Sequence, residues 1–198
     1  DTNYSTKYTV NIVRTKSNNA NLSALSVTGY TLNETFNANT LDYTLTVPSN
    51  VTSVQVNATK ADTRASMEGD GTLNLTIGSN NVATIHVVAE NQTSTKDYTV
   101  TVTRLNNDAD LSGLVLSGIN YGTFNASTTS YEVTVPYTTT QTTVTATTHD
   151  SKALATYTAN QSLIVGDNTI EVLVKAEARS VTKTYTVLVH RTAASTVN

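Results

Sequence analysis

The sequence predicts an all-β fold: two tandem β-sandwiches preceded by an orphan N-terminal β-strand. Three observations carry that expectation. Short runs alternate apolar and polar side chains with a period of two, as half-buried strands do. Glycines and asparagines punctuate these runs at short intervals, and no long stretch shows helical periodicity. The 198-residue chain also repeats itself, with a period of about 88 residues.

In chain order, residues 1–19 read as a donor-like strand and a linker. Tyr8–Arg14 (YTVNIVR) puts Tyr8, Val10 and Ile12 on one face of a strand and Thr9 and Asn11 on the other, and it ends at Arg14. The string Tyr-Thr-Val-x-x-x-Arg recurs at Tyr98–Arg104 and Tyr185–Arg191, each time closing a segment of about 85 residues. Only the first copy has almost nothing before it, so it reads as the last strand of an absent domain. Asp1 in place of Met is expected of a processed chain or a fragment.

Residues 20–104 form the first expected sandwich and residues 111–192 the second, with a linker at 105–110 and a tail at 193–198. Asn21-Leu-Ser-Ala-Leu-Ser26 matches Asp110-Leu-Ser-Gly-Leu-Val115, and the segment Phe36 to Pro48 matches Phe124 to Pro136. Alternation marks strands at Tyr43–Val47, Val54–Asn57 and Thr84–Val88, and again at Tyr131–Val135, Thr143–Ala146 and Ile170–Val174. Pro48 and Pro136, the only prolines, sit just past equivalent strands; lacking an N–H, proline cannot continue a ladder. About seven short strands in each repeat is the pattern of a β-sandwich.

Composition narrows the function. There is no Cys, which excludes disulfides and thiol chemistry. A net charge of −3 with 14% charged residues leaves no basic patch for nucleic acid. No apolar run is long enough for a membrane span. Ser and Thr make up more than a quarter of the chain, a neutral hydroxyl-rich surface expected outside the cell or at the cell surface.

The opening Leu22-Ser-x-Leu25 and Leu111-Ser-x-Leu114, the Phe-to-Val-Pro segments, the Gly78-x-Asn and Gly166-x-Asn turns and the closing Tyr-x-Val-x-x-x-Arg resemble the cadherin-like β-sandwich repeats of bacterial surface and secreted proteins. The resemblance covers roughly residues 20–104 and 109–191. It implies immunoglobulin-like sandwiches used as spacer, adhesive or interaction modules, and it supplies no catalytic residues.

His86, His149 and His190 have no equivalents in the other repeat, and no catalytic or nucleotide-binding motif occurs, so no enzyme and no cofactor are expected. Asp108 and Asp110 could offer oxygen ligands to calcium, but the junction before the first repeat carries Asn18, Asn19 and Asn21 instead, so a solvated linker is the expectation. Sequons at Asn3, Asn21, Asn33, Asn50, Asn57, Asn74, Asn91, Asn125 and Asn160 make a covalent glycan a candidate partner, and Thr138–Thr140 could carry O-linked sugar. Lys175 and Lys183 are the lysines considered for isopeptide cross-links, and Tyr30, Tyr121 and Tyr137 for a sugar-stacking surface. The leading expectation is a filament subunit whose Tyr8, Val10, Ile12 and Arg14 strand adds to another copy of the chain, giving a helical or linear homopolymer. The alternative is a spacer or adhesion module of a larger surface or secreted protein.

Overall fold

The computed structural model describes residues 3–195. In the first repeat the strands are β1 (Leu22–Val27), β2 (Asp42–Val47), β3 (Ser53–Lys60), β4 (Ser66–Glu68), β5 (Gly71–Asn74), β6 (Gly78–Val88) and β7 (Thr95–Arg104). In the second they are β8 (Leu111–Leu116), β9 (Ser130–Val135), β10 (Gln141–Thr148), β11 (Leu154–Thr156), β12 (Asn160–Ser162), β13 (Gly166–Lys175) and β14 (Thr182–Arg191). No helix occurs among the described residues. The strands expected from alternation all fall inside these elements.

Each repeat folds its seven strands into two sheets in the same order. The first has sheets β1-β3-β5 and β2-β7-β6-β4, and the second has β8-β10-β12 and β9-β14-β13-β11. The alternation explains the cores. In β2, Tyr43, Leu45 and Val47 are buried while Thr44 and Thr46 face out; in β7, Tyr98, Val100 and Val102 are buried. In the second repeat Leu111, Ile170, Val172, Tyr185, Val187 and Val189 fill the equivalent space. The closing strand β14 lies between β13, which it pairs antiparallel, and β9, which it pairs in parallel from Thr186↔Ser130 to Arg191↔Val135. The closing motif is thus a central strand, bonded on both edges, and its apolar face must be buried.

Gly69 shows how tightly the first repeat is drawn. It sits in the turn between β4 and β5 at φ 94°, and a Cβ there would lie 1.9 Å from the Thr84 carbonyl oxygen. Only glycine meets both conditions.

Residues 3–21 contain no regular secondary structure, so the expected N-terminal strand is not formed in the single chain. The reason is physical: an extended segment is a strand only when its amides and carbonyls meet a partner edge. Tyr8, Val10 and Ile12 are 86%, 80% and 89% exposed, whereas the equivalent Tyr98, Val100 and Val102 are fully buried. The end of the expected tail, residues 196–198, and residues 1 and 2 lie outside the described residues.

Candidate assembly segment and its anchors

The two buried copies show what the closing motif does. The Tyr98 hydroxyl accepts from the Leu22 amide at 3.2 Å and donates to the Ala38 carbonyl at 2.7 Å. The Tyr185 hydroxyl repeats this with the Leu111 amide at 3.2 Å and the Ala126 carbonyl at 2.8 Å. Each tyrosine therefore ties the first strand of its sandwich to the loop before the second. A lysine two residues earlier adds a bond to the same carbonyl: Lys96 at 3.1 Å and Lys183 at 2.7 Å.

The arginine fastens the other end. Arg104 donates from Nε and Nη2 to the Ser49 carbonyl at 3.0 and 2.7 Å. Arg191 does the same to the Tyr137 carbonyl at 2.9 and 2.6 Å, and also donates to the Leu163 carbonyl at 2.8 Å. Its guanidinium lies over the Tyr137 ring, 4.7 Å from the centroid. Tyrosine and arginine thus pin the closing strand to its sandwich at both ends by charge-assisted and buried hydrogen bonds. Tyr8 and Arg14 carry the same two groups at the same spacing.

Arg14 has a different partner. Its Nη2 donates to Glu90, whose other oxygen accepts the Ser17 amide at 2.9 Å; the Asn91 amide in turn donates to the Ser17 carbonyl at 3.0 Å. The second repeat holds its own linker in the same way. Glu177 accepts the Asn106 amide at 2.9 Å, and the Ala178 amide donates to the Asn106 carbonyl at 2.9 Å. The hydrogen bond from Arg14 chiefly, and that from Ser17, hold the Glu90 carboxyl below the ordinary glutamate value. Lys152, 2.8 Å away, and the Asn106 amide do the same for Glu177. These clamps were missed in the sequence, although the repeated Ala89-Glu90 and Ala176-Glu177 align and could have signalled them.

Nδ1 of His86 lies 2.5 Å from Asp97, that of His149 2.5 Å from Asp108 and that of His190 2.6 Å from Asp167, and of the three carboxyls that of Asp108 is half-buried. The bond to Asp108 raises the His149 pKa; burial works against the Asp108 carboxylate, but His149 and the Asp110 amide bring its pKa below the usual value. Asp110 is held by Lys183 at 2.7 Å, so both linker carboxylates already have side-chain partners. No cluster of three or more metal-ligating side chains occurs among the described residues. Lys183 is further placed over the Tyr185 ring, and Lys175 is exposed. Of the sequons, Asn3, Asn33, Asn50, Asn57, Asn74, Asn125 and Asn160 are exposed, while Asn21 and Asn91 are half-buried. Tyr30 and Tyr121 are half-buried and Tyr137 lies beneath Arg191, so the structure does not bring these rings into one exposed platform. Among the described residues no helix is long and apolar enough to cross a membrane.

The profile described as the cadherin-like beta sandwich domain matches residues 22–105 and 111–192. No curated protein sequence matches the chain. Among solved structures, the chain is similar to extracellular cadherin domains 1–4 of protocadherin gamma B7, at 12% identity and a TM-score of 0.33, over 77% of this chain and 49% of that one. It thus spans about half the length of that protein's solved chain. It is also similar to fibronectin(III)-like modules of Clostridium thermocellum CbhA, at 9% identity, TM-score 0.25, over 88% and 98% of the two chains. A third is the D00-D0 domain of intimin, at 11% identity, TM-score 0.27, over 84% and 99%.

Proposed function

Since the chain belongs to the cadherin-like β-sandwich family, whose domains are typically non-catalytic, structural and extracellular, we propose that it is a structural subunit of a bacterial cell-surface filament. Subunits join head to tail when Tyr8–Arg14 of one copy adds as a strand to the next. The observation that carries this reading is the contrast between the three copies of one motif. Two are central strands with buried faces, and the third presents the same face to water. Burying Tyr8, Val10 and Ile12 would stabilise the contact by about 1.5–3 kcal/mol each, before the entropy of ordering the segment is subtracted. Backbone ladder bonds add about 1 kcal/mol apiece. A segment of one copy seated on a different surface of the next is a heterologous contact, and one that does not close extends into a fibre. The second sandwich keeps its own closing strand β14, so the added strand takes a sheet edge or displaces a strand.

Removing residues 1–14 tests the proposal. Polymers should vanish while both sandwiches keep their β signal and cooperative unfolding; polymers that survive the deletion refute it.

A second reading, a spacer or adhesion module, is favoured by one observation. The Glu90 clamp on Ser17 repeats the Glu177 clamp on Asn106, so the segment enters the first sandwich as the linker enters the second. Tyr8–Arg14 would then close a preceding sandwich of the same chain. That reading gives a monomer at all concentrations.

A further inference from the structure

The repeats differ at one place that bears on where the added strand goes. In the second repeat, Tyr121 lies edge-on to Tyr131 with ring centroids 5.0 Å apart, and its hydroxyl donates to the Leu114 carbonyl on β8. Leu114 corresponds to Leu25 on β1, and Tyr121 corresponds to Leu32. Leucine is shorter and has no hydroxyl. Around it the first repeat keeps an open cleft of about 350 Å³, lined chiefly by Leu25, Tyr30, Leu32, Glu34 and Phe36.

β1 is an edge strand of its sheet, and its outer edge is closed at Val27, whose carbonyl accepts the Tyr30 amide at 3.1 Å, so the open stretch lies at Leu25 and before it. The Thr28 amide donates to the Gln55 carbonyl at 2.9 Å, which fixes the ladder phase against β3. Antiparallel pairs alternate between bonded and non-bonded. Leu25, three residues before Thr28, therefore turns its amide and carbonyl to the outer edge, as Leu114 does where it meets Tyr121. The first repeat thus has an outward carbonyl and an apolar cleft beside it, where the second repeat has a tyrosine.

We infer that the β1 edge of the first repeat is the acceptor, and that Tyr8 of a second copy enters the Leu25–Leu32–Phe36 cleft as Tyr121 does in the second repeat. This rests on the strand-addition reading above and names its site, which lies in the first repeat and not at the far end of the chain; the contact stays heterologous because segment and cleft are different surfaces. Three features support the occupant. The chain's own second repeat shows that a phenol side chain fits this environment and finds a carbonyl there. Tyr8 is 86% exposed and is followed by Val10 and Ile12, 80% and 89% exposed, at the two-residue spacing that continues the apolar face of Leu25 and Val27. Charge also matches. Residues 3–16 carry Lys7, Arg14 and Lys16 and no carboxylate, whereas residues 22–105 carry seven carboxylates against four Lys and Arg.

The test has two arms. In the first, the full chain and its Leu32→Tyr variant are compared by sedimentation velocity beside the chain lacking residues 1–14. Leu32→Tyr fills the cleft from within, and its fold is checked by circular dichroism and thermal unfolding. At least a tenfold weaker association is expected. If Leu32→Tyr associates as the parent does while the deletion does not, the β1 acceptor is overturned and strand assembly stands on another edge. In the second arm, a synthetic peptide of residues 3–14 is titrated into the full chain carrying Tyr8→Ser, followed by NMR. Shifts are expected at the Leu25 and Leu32 methyls and the Phe36 ring, weakened at least tenfold by Leu32→Tyr or by Tyr8→Ser in the peptide. Shifts elsewhere, or none, overturn the inference. Cleft binding by the peptide with no polymer from the parent chain refutes the filament and keeps the site.

Discussion

The closing tyrosine offers one substitution with two opposite expectations. Tyr185→Phe removes a hydroxyl that accepts the Leu111 amide at 3.2 Å and donates to the Ala126 carbonyl at 2.8 Å. The carbonyl keeps Lys183 at 2.7 Å, but Leu111 is fully buried and its amide loses its side-chain acceptor. Leaving one buried donor unsatisfied costs about 1–3 kcal/mol. For a domain of this size, about 2 kcal/mol lowers Tm by roughly 8–16 °C. Tyr98→Phe has the same geometry, with the buried Leu22 amide orphaned and Ala38 still held by Lys96, so its effect should be similar. Tyr8→Phe should change the stability of the unassembled chain by less than about 0.5 kcal/mol, because the side chain is exposed. The assay is urea unfolding followed by far-ultraviolet circular dichroism, at a concentration below any association. A Tyr185→Phe change under about 0.5 kcal/mol would refute the anchoring role of the hydroxyl. A Tyr8→Phe change as large as the other two would show that the segment is already packed in the single chain.

Gly69→Ala should destabilise the first repeat by more than about 3 kcal/mol, because the new methyl meets the Thr84 carbonyl oxygen and the backbone stays at positive φ; differential scanning calorimetry reads the loss. Arg191→Ala should cost the second repeat about 2–4 kcal/mol by freeing the Tyr137 and Leu163 carbonyls, and a parent-like urea midpoint would contradict this. Folding lowers the Glu90 pKa, so its clamp on Ser17 is complete above the value of a free glutamate and is lost as pH falls through the folded value. Ser17 amide exchange should therefore accelerate on acidification, and Glu90→Gln should flatten that dependence. If a glycan is attached, the exposed sequons, such as Asn50 and Asn125, should carry it and the half-buried Asn21 and Asn91 should not; intact-mass and peptide mass spectrometry of native material decide this.

The longer strands were legible because each carries its own burial code, whereas β4, β5, β11 and β12, of three or four residues each, are too short to show a period. Thr44 and Thr46 alternate with Tyr43, Leu45 and Val47, and Pro48 marks the end of that run. The repeat then makes each strand visible twice. Less of the candidate site could be read. Alternation at Tyr8, Val10 and Ile12 encodes a strand, but a strand also needs an edge to pair with, and the segment's own residues do not specify one. The Glu90 and Glu177 clamps join residues more than 70 positions apart through backbone amides, so only the repeated Ala-Glu pair marks them and their targets carry no residue signature. The cleft at Leu32 depends on a single exchange against Tyr121 in a loop whose length differs between repeats by one residue. The three histidines lacked any pattern, and the structure gives each an aspartate partner.

Tyr8–Arg14 should become a paired strand when subunits meet. Amide hydrogen exchange of residues 8–14, measured across a concentration series from isolated chain to assembled material, tests it most directly. Unprotected exchange is expected in the isolated chain, with strand-like protection that rises on assembly. Fibres in which these amides still exchange as freely as in the isolated chain would contradict it.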